Sequence, residues 1–386
     1  MKNSKPIPYG RQHITQEDIE AVTSVLQSDI LTQGPYIEEF EKKFANYIGS
    51  TYAVAVANGT AALHLCALAL GVNSSTKVIT TSITFAASAN CIHYCGGSID
   101  FVDIDEQLYL LDFDKVEKQI QSKPAGFYNG IVAVDFAGQA IDLEKLRKLA
   151  NTHKLWIIED ACHAPGGYFT DSRNIKQNCG NGTYAELAIF SFHPVKHIAT
   201  GEGGMITTND KSLYDKLILL RTHGITRKPE LLIENHGGWY YEMQELGYNY
   251  RITDFQAALG ISQLKRATEG LQKRKSIARK YNAAFAQIES IVTPSFEDGH
   301  AYHLYVIQVP DRLDLYNYLR SKNIFAQVHY IPVHLMPYYK QLGWKKGDLP
   351  LAEAYYEHCL SLPMYPTLSE EELNYVIECI IQYYSK

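Results

Sequence analysis

The residue with the most specific chemical potential in this 386-residue chain is a lysine that lies between two apolar runs. Lys196 follows residues 188–190 and precedes residues 205–207, and both runs have the composition of buried strands. Residues 201–204 contain three glycines, which permit backbone conformations that are closed to other residues. A lysine that is shielded from water has a lowered pKa, and its neutral amine attacks carbonyl carbons. The pattern predicts a Schiff-base lysine; the alternative is a surface lysine on a tight turn.

A carboxylate and a helix start provide two further groups. Asp160 ends the apolar run 155–159, and open α/β sheets place their ligands at the carboxyl ends of such strands. A second apolar run, residues 52–57, leads into Gly59 and a helix predicted from Thr60. The first N–H groups of a helix have no partner within it, so they form a site for a phosphate. Taken singly, the acid also fits a turn cap, and many α/β proteins have such a glycine turn without a ligand.

Together these residues match the requirements of pyridoxal 5′-phosphate. Its phosphate needs N–H donors, which we predict at Gly59, Thr60 and Ala61, and its ring needs a stacking face, which we predict at Phe85. Its pyridine nitrogen needs a carboxylate to stay protonated, and its aldehyde needs an amine. The ordered set of residues, rather than any one of them, predicts this cofactor.

The elements that must position these residues alternate between strands and helices from residue 77 to residue 156. Strands are predicted at residues 78–81, 99–102, 130–134 and 155–159, and helices at residues 86–94, 113–120 and 143–150. This alternation predicts an α/β fold with a mostly parallel sheet covered by helices. Residues 168–184 are rich in Gly and Asn and show no periodicity, so we expect a surface excursion there.

The character of the sequence changes after residue 265. Later segments are predicted as helices at residues 273–288 and 313–321, strands at residues 302–309 and 325–329, and a final helix capped by Ser369. We therefore expect a large cofactor-binding domain over residues 1–265 and a smaller α+β domain over residues 266–386.

Composition argues against several classes of function. A net charge of −6 disfavours general nucleic-acid binding, which needs clustered Lys and Arg. The most apolar window, residues 52–72, is interrupted by polar residues, so we expect no membrane association, and the first residues lack the apolar core of a signal peptide. Seven cysteines in mostly apolar surroundings indicate reduced thiols and a cytoplasmic protein. Cys91 and Cys95 flank a histidine, but no second ligand pair follows, so no metal site is predicted.

Several segments resemble the DegT/StrS family of sugar-nucleotide aminotransferases, and the resemblance covers nearly the whole chain. The segments are Leu31-Thr32-Gln33-Gly34, Asn58-Gly59-Thr60-Ala61-Ala62, Glu159-Asp160-Ala161, Phe190-Ser191-Phe192 with Lys196 and Gly201-Glu202-Gly203-Gly204, and Gly247-Tyr248-Asn249-Tyr250-Arg251. The resemblance implies the aspartate-aminotransferase-like fold, known as fold type I of the pyridoxal phosphate enzymes. It also implies a homodimer.

The resemblance assigns a role to each residue of the site. Lys196 would bind the cofactor aldehyde, and Asp160 would pair with the pyridine nitrogen. His163 would lie near the ring oxygen, and Phe85 would stack on the ring. The cofactor phosphate would be bound by Thr60, Ala61 and Ser191 and by Asn249 of the partner subunit. Each of these residues also has a purely structural alternative, such as a strand serine or a turn-forming asparagine.

Three further segments, residues 192–196, 240–249 and 326–332, are similar to family members of the pseudaminic acid pathway. This similarity implies transfer of the amino group of L-glutamate to C4 of a UDP-linked 4-keto-6-deoxy-N-acetylhexosamine. Lys196 would act first as a general base and then as a general acid. Candidates for sugar contacts, chosen because aromatic rings and imidazoles suit sugar faces and diphosphates, are Tyr9, His329, Tyr330 and His334. More residues separate Asp160 from Lys196 in the sequence than the family leads us to expect. The predicted excursion at residues 168–184 would account for the extra residues.

Several alternatives stay open. The acceptor could be another nucleotide sugar, linked to GDP or dTDP and aminated at C3 or C4. A related pyridoxal phosphate sugar dehydratase has histidine at the lysine position; His193 and His197 flank Lys196, but the four residues before Gly201 match the aminotransferase spacing. A nicotinamide oxidoreductase would need a G-x-G-x-x-G motif, which is absent here. A catalytically silent regulator is disfavoured because the lysine, the acid and Ser191 are all retained.

Overall fold

The computed structural model describes residues 5–385. Its strands, in chain order, are β1 (Ile7–Pro8), β2 (Tyr52–Val56), β3 (Lys77–Thr81), β4 (Ser98–Val102), β5 (Gly130–Val134), β6 (Trp156–Asp160), β7 (Tyr168–Thr170), β8 (Lys176–Asn178), β9 (Leu187–Ser191), β10 (Gly204–Thr208), β11 (Ile225–Thr226), β12 (Glu242–Met243), β13 (Tyr305–Gln308), β14 (Ile324–Phe325) and β15 (Cys359–Leu362). Its α-helices are α1 (Gln16–Leu26), α2 (Pro35–Ile48), α3 (Gly59–Ala69), α4 (Ala87–Tyr94), α5 (Phe113–Gln121), α6 (Leu143–His153), α7 (Lys211–Arg221), α8 (Asp254–Leu264), α9 (Ala267–Phe285), α10 (Arg312–Ser321), α11 (Pro337–Gln341), α12 (Pro350–His358) and α13 (Glu370–Tyr384).

The central sheet has seven strands in the spatial order β2-β10-β9-β6-β5-β3-β4. All neighbouring strands are parallel except β10, which runs antiparallel to both β2 and β9. Parallel strands need crossover connections; α4, α5 and α6 supply those among β3 to β6, and the segment that contains β7 and β8 connects β6 to β9. The inner strands are apolar on both faces because helices cover both sides; every residue of β5 is buried. The predicted α/β class with a mostly parallel sheet is therefore confirmed.

The antiparallel strand β10 brings two parts of the site together. Gly204 starts β10 and pairs with Ser191 at the end of β9 and with Val56 at the end of β2. A Cβ atom at Gly204 would lie 2.6 Å from the backbone carbon and oxygen of Asn58, which is the residue before α3. Only glycine permits this close approach, so the lysine loop and the start of α3 are held side by side.

The segment predicted as a surface excursion is more ordered than we expected. Strands β7 and β8 pair as an antiparallel hairpin within residues 168–184. Gln177 and Cys179 are buried, and the buried Asp171 carboxylate accepts hydrogen bonds from the backbone N–H of Ile175 and the side chain of Gln177. Residues 172–176 at its tip are exposed, so the segment is a surface excursion that contains a short hairpin, and a three-residue strand is too short to show periodicity in the sequence.

The C-terminal elements build a second hydrophobic cluster, which includes α9, α10, α13 and the antiparallel pair β13–β15. Strand β14 is shorter than the strand predicted at residues 325–329, because the chain leaves the β1–β14 pair after Phe325 and turns toward the central sheet. Ile7 packs in this cluster, so the first described residues join the C-terminal elements. The boundary at residue 265 stays a prediction. Among residues 5–385, no helix has both the length and the apolar character that crossing a bilayer requires.

Candidate active site

A cavity of about 680 Å³ opens at the carboxyl edge of the central sheet. One wall comes from the turn before α3, the loop before α4, the end of β6 and the loop between β9 and β10. The other wall comes from later residues, His303, His329 and Tyr330, together with Tyr9. The cavity brings together the predicted cofactor residues Gly59, Thr60, Ala61, Phe85, Asp160, His163, Ser191 and Lys196.

The start of α3 has the predicted anion-binding form, with one difference. Asn58 caps the helix, and its Oδ1 accepts the N–H of Ala61 at 2.8 Å. The Ala61 N–H therefore already has a partner, and the Thr60 N–H and hydroxyl are the better donors to a phosphate. Ser191 lies beside this turn, since a Cβ atom at Gly59 would lie 3.1 Å from the Ser191 Cβ.

Asp160 lies at the end of β6, buried and fixed by two donors. Its Oδ2 accepts a hydrogen bond from Ser88 Oγ at 2.7 Å, and its Oδ1 accepts one from the Cys162 N–H at 3.2 Å. These bonds hold the carboxylate in one orientation at the cavity wall. Sequence reasoning missed Ser88, because nothing in its local pattern distinguishes it from other residues of α4.

Lys196 projects into the same cavity from the loop between β9 and β10. Burial lowers the pKa of its amine; Cys162 and Asp160 oppose this change, and the guanidinium of Arg274 reinforces it. Its Nζ atom lies 3.5 Å from Nε2 of His303. The amine therefore faces the cavity, and the direction of its pKa shift favours the neutral, nucleophilic form.

His163 is buried between these groups and the second wall. Its Nδ1 accepts the N–H of Ala137 at 3.2 Å, and its Nε2 lies 3.2 Å from the hydroxyl oxygen of Tyr330. Burial lowers the pKa of His163 well below its ordinary value, so the ring is neutral. Because a backbone donor occupies Nδ1, the single ring proton is on Nε2 and points toward Tyr330.

The sugar candidates divide into two groups. Tyr9, His329 and Tyr330 line the cavity, and the rings of Tyr9 and His329 lie 5.0 Å apart. Burial lowers the pKa of His329 to about 3, and its Nδ1 lies 2.8 Å from Ser361 Oγ. His334 does not line the cavity: it is fully buried, and its Nε2 lies 3.0 Å from Glu353 Oε1.

Phe85 and Asn249 differ from the other cofactor candidates in exposure. Phe85 lines the cavity but is 62% exposed, and its ring lies 6.4 Å from that of Tyr330. Asn249 is exposed and does not line the cavity of its own chain; its backbone bridges to Thr222. Asn249 therefore lies outside the cavity wall of its own chain, although the next residue, Tyr250, lines it.

The groups that face the cavity fit pyridoxal 5′-phosphate. Lys196 offers an amine to its aldehyde, Asp160 offers a fixed carboxylate to its pyridine nitrogen, and the start of α3 offers donors to its phosphate. Gly59 and Gly204 keep side chains out of the space where the helix start meets the lysine loop. The chain thus offers a partner to the aldehyde, to the pyridine nitrogen and to the phosphate of this cofactor.

Sequence comparison gives full-length matches. The model of the DegT/DnrJ/EryC1/StrS aminotransferase family matches residues 12–381. The spore coat polysaccharide biosynthesis protein SpsC of Bacillus subtilis is 39% identical over 98% of this chain and 97% of its own length. The UDP-4-amino-4,6-dideoxy-N-acetyl-β-L-altrosamine transaminase of Campylobacter jejuni is 34% identical, with 98% of each protein covered. The GDP-perosamine synthase of Escherichia coli O157:H7 is 33% identical, with 99% of each covered.

Solved structures agree with these matches. Helicobacter pylori PseC, an aminotransferase involved in the biosynthesis of pseudaminic acid, superposes with a TM-score of 0.87 at 30% identity, over 99% of this chain and 100% of that one. The protein Spr1654 of Streptococcus pneumoniae, in its pyridoxal phosphate form, has a TM-score of 0.88 at 28% identity, with 98% of each chain covered. Both likenesses extend over the sheet and the C-terminal elements alike.

Proposed function

This chain belongs to the DegT/DnrJ/EryC1/StrS aminotransferase family, and we propose that it transfers the amino group of L-glutamate to C4 of a UDP-linked 4-keto-6-deoxy-N-acetylhexosamine. It is a pyridoxal-phosphate-dependent sugar aminotransferase. The observation that carries the proposal is that Lys196, Asp160 and the start of α3 face one cavity. The similarity to the Campylobacter jejuni transaminase supports the choice of a UDP-linked acceptor.

The cofactor, when bound, supplies an electron-withdrawing ring that stabilises negative charge on the carbon next to the transferred nitrogen. Lys196 holds the cofactor through its amine and, once displaced, takes a proton from the α-carbon of glutamate at Nζ. In the second half-reaction the same Nζ delivers a proton to C4 of the sugar. Because glutamate gives up its amino group and leaves as 2-oxoglutarate before the sugar enters, we expect ping-pong kinetics.

The remaining residues of the first wall bind and orient. The carboxylate of Asp160, fixed by Ser88, keeps the pyridine nitrogen protonated. The N–H and hydroxyl of Thr60 and the hydroxyl of Ser191 hold the phosphate, and Phe85 covers one face of the ring. The neutral His163 keeps its Nε2 proton directed at Tyr330, beside the ring oxygen.

The second wall receives the sugar. Tyr9, His329 and Tyr330 offer aromatic faces and a neutral imidazole, so they bind an uncharged sugar ring by stacking and hydrogen bonds rather than by ion pairing.

We propose that the active form is a homodimer in which Asn249 contributes to the partner's cofactor site. The exposure of Asn249 on its own chain supports this arrangement. Mixing Lys196→Ala and Asn249→Ala subunits tests it, because a mixed dimer contains one intact site. We expect activity that neither parent has. Mixed preparations no more active than their parents would contradict the shared site.

A second acceptor class is supported by the similarity to the GDP-perosamine synthase. The first wall and the amine chemistry would be unchanged, and the difference would lie in the base and the sugar. The first wall would be unchanged in the same way for dTDP-linked sugars and for amination at C3.

The decisive experiment combines donor and acceptor assays with a lysine variant. Purified protein is supplied with L-glutamate and a panel of UDP-, GDP- and dTDP-linked keto sugars, and NMR identifies the aminated carbon and its stereochemistry. We expect amination at C4 of the UDP-linked N-acetyl sugar. Lys196→Ala should lose turnover by about 10⁴-fold or more, and borohydride should fix the cofactor to Lys196 in the wild type. Turnover near the wild-type rate in that variant would refute the assignment.

A further inference from the structure

His303 is the nearest hydrogen-bonding side chain to the amine of Lys196. Its Nε2 lies 3.5 Å from Nζ, at the long limit of a hydrogen bond, and such contacts commonly tighten when an active site fills. His303 lines the cavity but is only 4% exposed. Sequence reasoning missed it, because His303 follows Lys196 by more than one hundred residues in a strand-like segment.

The backbone beside His303 is strained at Tyr302 and fixed by hydrogen bonds at Ala301 and Leu304. Tyr302 has φ of +50°, in the left-handed region that non-glycine residues rarely adopt. The Ala301 N–H donates to the carbonyl of Gly138 at 2.7 Å, and the Leu304 N–H donates to that of Ala137 at 3.1 Å. Strained backbone that is fixed from both sides is a feature of sites where one side chain must be aimed.

Arg274 fixes the same segment from the side of α9. The Nη1 atom of this buried guanidinium donates to the carbonyls of Tyr302 and His303 at 3.2 Å and of Met364 at 2.8 Å. The ring of His163 packs against that of His303 with centroids 4.3 Å apart. His303 therefore has little freedom to turn away from the lysine.

The proton of the His303 ring can be placed by elimination. Burial lowers the pKa of His303 well below its ordinary value, so the ring carries one proton. Nδ1 is buried and has no hydrogen-bond partner among residues 5–385. An unpaired N–H is rarer in protein interiors than an unpaired acceptor, so the proton belongs on Nε2, which faces Nζ of Lys196.

We propose that His303 is a positioning residue that donates its Nε2–H to the unprotonated amine of Lys196 whenever that amine is free, and so keeps it in the cavity, ready for the next proton transfer. The inference rests on the proposed role of Lys196. The hydrogen bond from His303 would fix the position of the Lys196 amine during the steps in which the amine is not bonded to the cofactor.

The electrostatic surroundings of Lys196 bear on this role. Burial lowers the pKa of the amine, and a donor aimed at its lone pair acts in the same direction because it stabilises the neutral form. The titratable and charged groups that face or influence Lys196 are Cys162, Asp160, Arg274, His163, His197, His303 and His329. Among these, His303 is the one within hydrogen-bond distance of Nζ in the described structure.

Two variants separate this role from packing. His303→Gln keeps an N–H donor near the position of Nε2, whereas His303→Met has similar volume and no donor. His300→Asn is the matched control, because His300 is also buried and its Nδ1 accepts the Tyr302 N–H, which the asparagine oxygen can accept instead. Thermal unfolding confirms that each variant is folded.

The first measurement is the single-turnover rate of the glutamate half-reaction, followed by the absorbance of the cofactor. We expect His303→Met to lose about 10- to 100-fold in rate, with half-saturation by glutamate within about twofold of wild type. His303→Gln should recover most of the rate, and His300→Asn should resemble wild type. Equal losses in the Gln and Met variants would reduce His303 to packing and overturn the proposal.

The second measurement needs no turnover. Cofactor-free protein is mixed with pyridoxal 5′-phosphate, and the pH dependence of recombination reports the protonation of Lys196. His303→Met should move the midpoint to higher pH by about half a pH unit to one pH unit, because the neutral amine loses its donor. A midpoint equal to that of wild type would contradict the inference. If instead Lys196→Ala retained turnover, the role of the lysine itself would fail, which is a distinguishable result.

Discussion

The hydroxyl of Ser88 donates to Oδ2 of Asp160 across 2.7 Å in the buried wall of the cavity. Since Ser88 gives its only proton to the carboxylate, Thr84 must be the donor in the 2.7 Å contact between the two hydroxyl oxygens. A short chain of hydroxyl groups thus leads from Thr84 through Ser88 to the carboxylate. It fixes the group that we propose to face the pyridine nitrogen of the cofactor.

Removal of this donor should weaken cofactor binding. We expect Ser88→Ala to lower the affinity for pyridoxal 5′-phosphate by about 10- to 100-fold, since a hydrogen bond to a charged group contributes about 1.5–3 kcal/mol. Absorbance titration of the cofactor-free protein measures the change. Ser122→Ala is the control, because Ser122 is exposed and donates to the Gln119 carbonyl instead. Equal affinities in the two variants would show that Ser88 does not support Asp160.

The close approach at Gly204 predicts a contrast between two glycines. In Gly204→Ala the new Cβ would meet the Asn58 backbone at 2.6 Å, so β10 and the start of α3 must separate. We expect this variant to lose both cofactor affinity and several degrees of melting temperature. In Gly201→Ala the new Cβ would have no atom within 4 Å. The only cost is the strain of an alanine at φ of +81°, about 1 kcal/mol. Comparable affinities in both variants would contradict the role of the close approach.

A buried pair of acids behind the cavity predicts pH-dependent stability. Asp135 Oδ2 and Glu159 Oε2 have no other partner among the described residues, and one shared proton satisfies both. Burial raises the pKa of Asp135 to about 7 and that of Glu159 well above its ordinary value. The folded chain therefore binds more protons than the unfolded chain between about pH 4 and about pH 7, and its stability falls as pH rises through that window.

Asp135→Asn tests this pair, because the amide donates to Glu159 permanently and its oxygen still accepts the Ile141 N–H. We expect a flatter dependence on pH and, above about pH 7, a free energy of unfolding at least about 1 kcal/mol above that of wild type. Urea unfolding at several pH values measures it. Asp135→Ala, which leaves Glu159 without a donor, should be less stable throughout. Asp135, Glu159 and Cys179 place atoms that could bind a metal within 4.8 Å of one another. If EDTA shifted the unfolding curve of the wild type, a metal ion rather than a shared proton would hold the two acids together.

The positions of two histidines predict different phenotypes. His329→Phe should raise KM for the sugar acceptor by about 10-fold, because it removes a hydrogen-bonding group from the cavity wall. His334→Gln should leave that KM unchanged within about twofold and lower the melting temperature, because His334 pairs with Glu353 away from the cavity. Steady-state kinetics and thermal unfolding separate the two effects. An increase in KM for the sugar in the His334 variant would show that His334 does take part in sugar binding.

Much of the fold could be read from local patterns. Alternating apolar runs and helical periodicity placed the strands and helices from β2 to α6 within a few residues, because each element buries a face with its own period. The antiparallel direction of β10 could not be read in this way, since a short buried strand looks the same in either direction. Its direction follows from the connection to β9, because the lysine loop, residues 192–203, contains no crossover helix of the kind that usually joins parallel neighbours.

The site was only partly accessible to the same reasoning. Lys196 and Asp160 carry recognisable local surroundings, and both line the cavity. Ser88, Arg274 and His303 act through contacts with residues far away in sequence, which no local pattern records. His334 shows the opposite error, because residue type alone does not say which way a side chain turns.

The two walls of the cavity come from separate stretches of chain, with the amine and its carboxylate on one and His329 and Tyr330 on the other. On the proposed assignment, a chimera that takes residues 326–334 from a relative would exchange the surface that meets the sugar and keep the residues that bind the cofactor. Such a division lets acceptor preference diverge during evolution while the nitrogen chemistry is inherited intact.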